Sequence, residues 1–193
     1  MVEPVAVACQ ITKVGNVRAN QKIVVFGCGP IGLLCQAVSK AYGAKKVIGV
    51  DISKSRAEFA KSFGADDVFV PPPPPADVAP EEWSEKLAKI IKEQFDLGEG
   101  PDVVLEATGA QPCIQTGIHL TKKGGTYVQA GMGREVSDTM QSFVVMELEK
   151  EANATGFVEC YVPHYNRLHS RLDYPRVHSL QYWLLFDCRG PNC

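Results

Sequence analysis

The apolar positions of this chain fall into short continuous runs set between stretches of helical spacing. Residues 23–26, 47–50, 68–70, 102–107 and 126–130 form the runs and predict strands. A continuous run, rather than a strict alternation, is what a strand covered on both faces needs. Ile31, Leu34, Cys35 and Val38 follow the first run at helical spacing, and Gly43 closes that helix. Ser53 stands where a cap belongs, ahead of a helix through Phe63 that stops at Gly64. Pro80 opens another helix, with Glu81 and Glu82 at its positive end and Trp83, Leu87, Ile90, Ile91 and Phe95 along its core face. Residues 112–122 predict a further helix, and residues 1–20 are helical in part. Strands alternating with helices predict an α/β fold, a doubly wound parallel sheet of about five strands.

Two stretches depart from this pattern. Residues 71–75 are five consecutive prolines. No helix or sheet interior tolerates them, so they predict a stiff polyproline-type surface connection. After about residue 136 the periodicity stops. Residues 137–193 hold only Gly156 and Gly190 of the seventeen glycines, but His164, His169 and His178 of the four histidines. Residues 143–148 predict at most a short strand or helix, and the rest is expected to be irregular. The chain thus divides into residues 1–20, a sheet domain over 21–136 and a tail over 137–193.

Composition narrows the function classes. A net charge of −2 gives no reason to expect a nucleic-acid partner. No apolar run reaches membrane-spanning length, and the N-terminus lacks the basic start of a signal or transit peptide. A soluble cytoplasmic protein is expected. The seven cysteines, at 9, 28, 35, 113, 160, 188 and 193, are odd in number and scattered, which argues against a disulfide framework. Cys28 and Cys35 are expected to be small buried apolar groups. Neither Cys160, His164 and His169 nor Cys188 and Cys193 have the spacing of a compact structural zinc site. His119 falls in a predicted helix as a surface or packing residue.

The strongest chemical signal is Gly27-x-Gly29-x-x-Gly32, which leaves the first strand and enters the first helix of the sheet domain. Asp51 follows nineteen residues after Gly32, at the end of the second strand. In that setting the spacing is a dinucleotide-binding fingerprint. Gly27 permits the tight turn, Gly29 lets backbone approach a pyrophosphate, and Gly32 lets the helix pack closely. Pro30 suits the first helical turn, and the free N–H groups there point at phosphate. A carboxylate at Asp51 can accept both ribose hydroxyls and repels a 2′-phosphate, which predicts NAD over NADP. Arg56 is placed to cover the adenine or meet a phosphate, or else is a solvated helix residue. The ends of the fourth and fifth strands, Glu106-Ala-Thr-Gly109 and Ala130-Gly-Met-Gly133, are small-residue turns that let backbone come close to a cofactor or simply turn the chain. A methyltransferase-like protein also carries an acid after its second strand, but Gly32 favours the dinucleotide.

From Glu3 to about Glu135 the chain resembles the zinc-containing medium-chain dehydrogenases, particularly their polyol branch of sorbitol, L-arabinitol and xylitol (D-xylulose reductase) types. The resemblance is carried by Glu3-Pro-Val-Ala-Val-Ala, Gly27-Cys-Gly-Pro-Ile-Gly-Leu, Val50-Asp-Ile-Ser-Lys-Ser-Arg56, Ala60-Lys-Ser-Phe-Gly-Ala-Asp, Glu106-Ala-Thr-Gly-Ala and Gly124-Gly-Thr-Tyr-Val-Gln-Ala-Gly-Met-Gly133. It implies a Rossmann domain and an NAD-dependent oxidoreductase acting on a secondary alcohol of a small polyol, in a homo-oligomeric family. It implies that Gly27, Gly29, Pro30, Ile31, Gly32, Asp51, Ile52 and Arg56 hold the cofactor, and that Thr108, Gly131 and Met132 lie near its nicotinamide. Glu3 matches a family glutamate beside the catalytic zinc. The remaining zinc ligands and proton relay of the family belong to a catalytic domain that these residues do not match. Nor do residues 137–193 match the family's sixth strand or dimer edge. The chain is therefore expected to be a truncated or frame-shifted product that lacks the sixth strand and has little activity alone. The alternative is a noncatalytic NAD-binding or regulatory module.

Overall fold

The computed structural model describes residues 2–75 and 77–131, together with the backbone of residues 157–160. Six strands form one parallel sheet: β1 Lys22–Phe26, β2 Lys46–Val50, β3 Asp67–Phe69, β4 Val103–Glu106, β5 Thr126–Gln129 and β6 Phe157–Cys160. Their order across the sheet is β3-β2-β1-β4-β5-β6. The helices are α1 Val2–Val14, α2 Pro30–Ala41, α3 Lys54–Phe63, α4 Pro80–Gln94 and α5 Gln111–Leu120. None among the described residues is long and apolar enough to cross a membrane.

The doubly wound parallel sheet agrees with the pattern of apolar runs. Alternate residues of β1 go to opposite faces. Ile23 and Val25 join Ala8 and Ile11 of α1, Cys35 of α2, and Val47, Val103 and Val128. Val24 and Phe26 join Leu87, Ile91 and Phe95 from α4 and its C-cap, with Ile114 and Leu120 of α5. Both faces are thus covered, and the strands have no room for a polar alternation. Ile91 is wholly buried, and burying such a side chain contributes about 1.5–3 kcal/mol.

The absence of a sixth strand, expected from the tail, is corrected by the structure. β6 pairs with β5 in parallel, with Thr126 opposite Phe157 and Gln129 opposite Cys160. Glu159 interrupts the apolar run there, and only pairing with β5 defines these residues as a strand. The other expected signals in the tail, including residues 143–148, His164, His169, Cys188 and Cys193, lie outside the described residues.

Carboxylates stitch the amino ends of the strands. Asp102 Oδ2 accepts the Lys22 N–H at 2.7 Å, and its other oxygen pairs with Lys122 Nζ. Asp66 Oδ2 accepts the Val47 N–H at 2.7 Å and pairs with Lys40. The carboxyl ends are left to turns. There the chain leaves β1 toward β2 on one side, while β4 lies on the other, which makes the end of β1 the topological switch point.

Candidate functional site

The turn after β1 is built from three glycines with three different constraints. Gly27 has φ +96°, a left-handed conformation, and its N–H bonds Val50 O at 2.7 Å. A side chain there would be strained, and its Cβ would meet Thr108 Cγ2 at 2.9 Å. Gly32, in the first turn of α2, packs on that same turn: a Cβ at Gly32 would fall 1.9 Å from Gly27 O. Gly29 is the opposite case. It is the N-cap of α2, in extended conformation, and a Cβ there would meet nothing within 4 Å. The helix end beneath this open space has Pro30 at its start and no side-chain cap. Ile31 and Gly32, as first-turn residues, have N–H groups without an intrahelical carbonyl to bond.

Asp51 stands at the end of β2, beside this turn. Its Oδ2 accepts the Cys28 N–H at 2.8 Å, and its Oδ1 accepts the Ser53 N–H at 2.8 Å. Ser53 is the N-cap of α3, as its position predicts, but its hydroxyl pairs with Ser55 Oγ instead of a helix N–H. Ile52 projects into solvent, 83% exposed, and Arg56 is exposed in the first turn of α3. Cys28 and Cys35 are buried, as expected. Burial pushes the Cys28 thiol above its ordinary value, aided by the Asp51 charge and opposed by Gln36 and Arg56. Arg56 therefore lies within electrostatic reach of the glycine turn.

The ends of β4 and β5 close the other side. Glu106 is fully buried, and its carboxylate accepts the Thr108 N–H at 2.8 Å, the Gly109 N–H at 3.0 Å and the Thr108 hydroxyl. Gly131 and Gly109 are in close contact, since a Cβ at Gly131 would lie 2.0 Å from Gly109 N. Burial, the largest influence, lifts the Glu106 carboxyl above the usual glutamate range, while bonds from Thr108, Gly109 and Gly131 draw it back. Cys113, in the first turns of α5, is half-buried; burial raises its thiol most, Thr108 opposes this, and the charges of Glu106 and Asp51 add to it.

The turns carrying Gly27, Gly29, Pro30, Ile31, Gly32, Asp51, Ile52, Arg56, Thr108 and Gly131 all lie at the carboxyl edge of the sheet or just beyond it. Met132 lies outside the described residues. Glu3 is elsewhere: it is exposed in the first turn of α1. Among the described residues no group of three His, Cys, Asp or Glu side chains forms a metal-holding arrangement. His119 is half-buried on α5, and its carbonyl accepts Lys92 Nζ at 2.8 Å. The sequence places Glu106 at the end of the fourth strand but gives its carboxylate no role of its own. Its signal was present, since an acidic residue closes a strand that is otherwise wholly apolar.

A sequence profile of the family described as zinc-binding dehydrogenase matches residues 30–172. The matched span runs past residue 136, where the motif resemblance was expected to end. D-xylulose reductase A of Aspergillus oryzae is 49% identical over 156 residues, covering 81% of this chain and 40% of that protein. Probable D-xylulose reductase A of Aspergillus terreus is 46% identical over the same length, covering 81% of this chain and 41% of that one. Among solved structures, 2R,3R-butanediol dehydrogenase from Bacillus subtilis superposes with a TM-score of 0.64 at 27% identity, covering 86% of this chain and 42% of that one. The chain thus spans about two-fifths of the length of the curated relatives it matches.

Proposed function

The chain belongs to the zinc-binding dehydrogenase family, and on that premise we propose that it binds NAD as the cofactor-holding part of a dehydrogenase acting on a small polyol. The observation that carries this reading is the open space over Gly29 at the N-terminus of α2, with the Asp51 carboxylate bonded to the same turn.

A pyrophosphate fits this place chemically. Gly29 leaves room for it, the N–H groups of Ile31 and Gly32 are available to bond it, and α2 presents about half a positive charge at its end. Asp51 selects the ribose. Its carboxylate has about four acceptor positions, and two of them are taken by the N–H groups of Cys28 and Ser53. The others are free for the two ribose hydroxyls, whereas a 2′-phosphate would meet a like charge. Ile52, standing exposed beside Asp51, is placed to cover the adenine, with Arg56 next to it. Thr108, Gly131 and Met132 complete the reading on the nicotinamide side.

Bound there, NAD would supply a hydride acceptor. The polyol assignment draws on the D-xylulose reductases, whose sequences are nearly half identical over most of this chain. The described donor set does not fit a zinc ion, because Glu3 is exposed and unaccompanied by a ligand cluster. A cytoplasmic location and a homo-oligomeric assembly belong to the same proposal, and cell fractionation and light scattering test them.

The reading is tested by titrating the full chain and its Asp51→Asn variant with NAD and NADP. The wild-type chain prefers NAD. The variant, with one acceptor replaced by a donor and the charge removed, loses at least about tenfold of that preference. An unchanged preference would remove Asp51 from the ribose site.

A further inference from the structure

Glu106 occupies an unusual position for a carboxylate. It ends a wholly buried strand and is itself 0% exposed. Its oxygens are turned onto the strand-end turns: Oε1 takes the Thr108 N–H and hydroxyl, and Oε2 takes the Gly109 N–H. Its main-chain carbonyl meanwhile accepts the N–H groups of Ala130 at 2.7 Å and Gly131 at 2.9 Å, from the turn after β5. A Cβ added at Gly131 would stand 2.7 Å from Glu106 Oε2 and 2.0 Å from Gly109 N, so the two turns are in contact across this carboxylate. Thr108 in turn touches the glycine turn after β1, its Cγ2 lying 2.9 Å from where a Gly27 Cβ would be. One buried residue thus joins the turns of β4 and β5 and sets where Thr108 meets the turn of β1.

We propose that Glu106 is a positioning residue for the nicotinamide end of the dinucleotide: its carboxylate holds the Thr108–Gly109 turn against Gly131 so that the wall meeting the nicotinamide keeps its shape. The proposal rests on the NAD reading above. It goes beyond it in assigning a function to a side chain that does not itself face the ligand. The chemistry needs a carboxylate. Glutamate offers acceptors on both oxygens, whereas glutamine turns one of them into an N–H donor facing an amide N–H. A glutamine of the same volume therefore sets a donor against the Gly109 N–H, which keeps only its 3.1 Å bond to Oε1, and the Thr108–Gly109 turn is held less firmly.

The test compares NADH with ADP-ribose, which carries the same adenosine and pyrophosphate but no nicotinamide. Both are titrated into the full chain and its Glu106→Gln variant, with circular dichroism and melting to check folding. The expected result is an NADH affinity about tenfold weaker, ADP-ribose binding within about twofold of wild type, and loss of the fluorescence shift of bound NADH. Glu106→Asp, which keeps the charge but draws the carboxylate one methylene back from Thr108 and Gly109, and Glu106→Met, which keeps the length but accepts no hydrogen bond from either, show the same split. These two variants decide the matter if Glu106→Gln does not fold. If NADH and ADP-ribose affinities keep their wild-type ratio in the variants that fold, the Glu106 assignment is overturned and the NAD reading stands. If the wild-type chain binds neither ligand, the NAD reading fails and the proposal fails with it.

Discussion

Replacing Gly29 and Gly32 separately by alanine distinguishes a ligand-binding turn from a purely structural one. At Gly32 the added Cβ would sit 1.9 Å from the Gly27 carbonyl oxygen and 2.8 Å from its carbonyl carbon. The obstructing atoms are backbone, so the turn must move by more than about 1 Å to restore ordinary contact. Forced repacking of this kind costs about 1–3 kcal/mol. Alanine in place of glycine inside an unhindered helix would instead gain up to about 1 kcal/mol, so the sign alone is informative. For a chain of this length the loss corresponds to a melting temperature lower by about 2–12 °C. At Gly29 the Cβ meets nothing within 4 Å, and φ −77°, ψ −177° is open to any residue. A gain of about 0.4–1 kcal/mol from a stiffer unfolded chain is offset by the poorer N-cap propensity of alanine. The unliganded melting temperature should therefore stay within about 2 °C of wild type. NAD binding should nonetheless fall, because the methyl occupies the approach to the pyrophosphate. A steric cost of about 1–3 kcal/mol weakens binding by roughly five- to 150-fold. Differential scanning calorimetry without ligand, followed by titration with NAD, reads both quantities. Wild-type NAD affinity in Gly29→Ala would refute the placement of phosphate over this turn. A Gly32→Ala variant as stable as wild type would refute the packing argument.

Two further outcomes concern stability. Asp102→Ala leaves the Lys22 N–H without its acceptor and Lys122 without its partner, and urea unfolding should show a loss of about 1–3 kcal/mol at pH 7. Burial opposes ionisation of Asp102, but the bonds from Lys122 and the Lys22 N–H prevail and hold its carboxyl below the usual aspartate value. Its contribution is thus present above the unfolded aspartate range and lost as pH falls through the folded value. The gap between wild type and variant should close at acid pH, and a gap that widens would contradict the assignment. Ile91→Ala empties a wholly buried position between α4 and the sheet and should cost about 2–5 kcal/mol by the same measurement.

Legibility followed the range of the interactions. The glycine turn and Asp51 could be read because their constraints are local, within one strand–turn–helix unit and the next strand end. The strands of the interior could be read because burial on both faces leaves only apolar residues, as in Lys22–Phe26 and Lys46–Val50 with their buried interiors. β6 could not, since Phe157–Cys160 becomes a strand only through β5. Glu106 could not be given a role either, because its burial and its partners depend on two turns more than twenty residues apart. The capping of α3 shows a finer limit. Ser53 sits at the expected position, yet the Asp51 carboxylate binds its N–H and the hydroxyl turns to Ser55.

Isothermal titration of the purified full chain with NAD, alongside NADP and S-adenosylmethionine, reads which cofactor the glycine turn and Asp51 hold. The expected result is one saturable site for NAD, weaker binding of NADP, and no heat from S-adenosylmethionine. Failure to bind NAD, or a preference for either of the other ligands, would contradict the NAD reading.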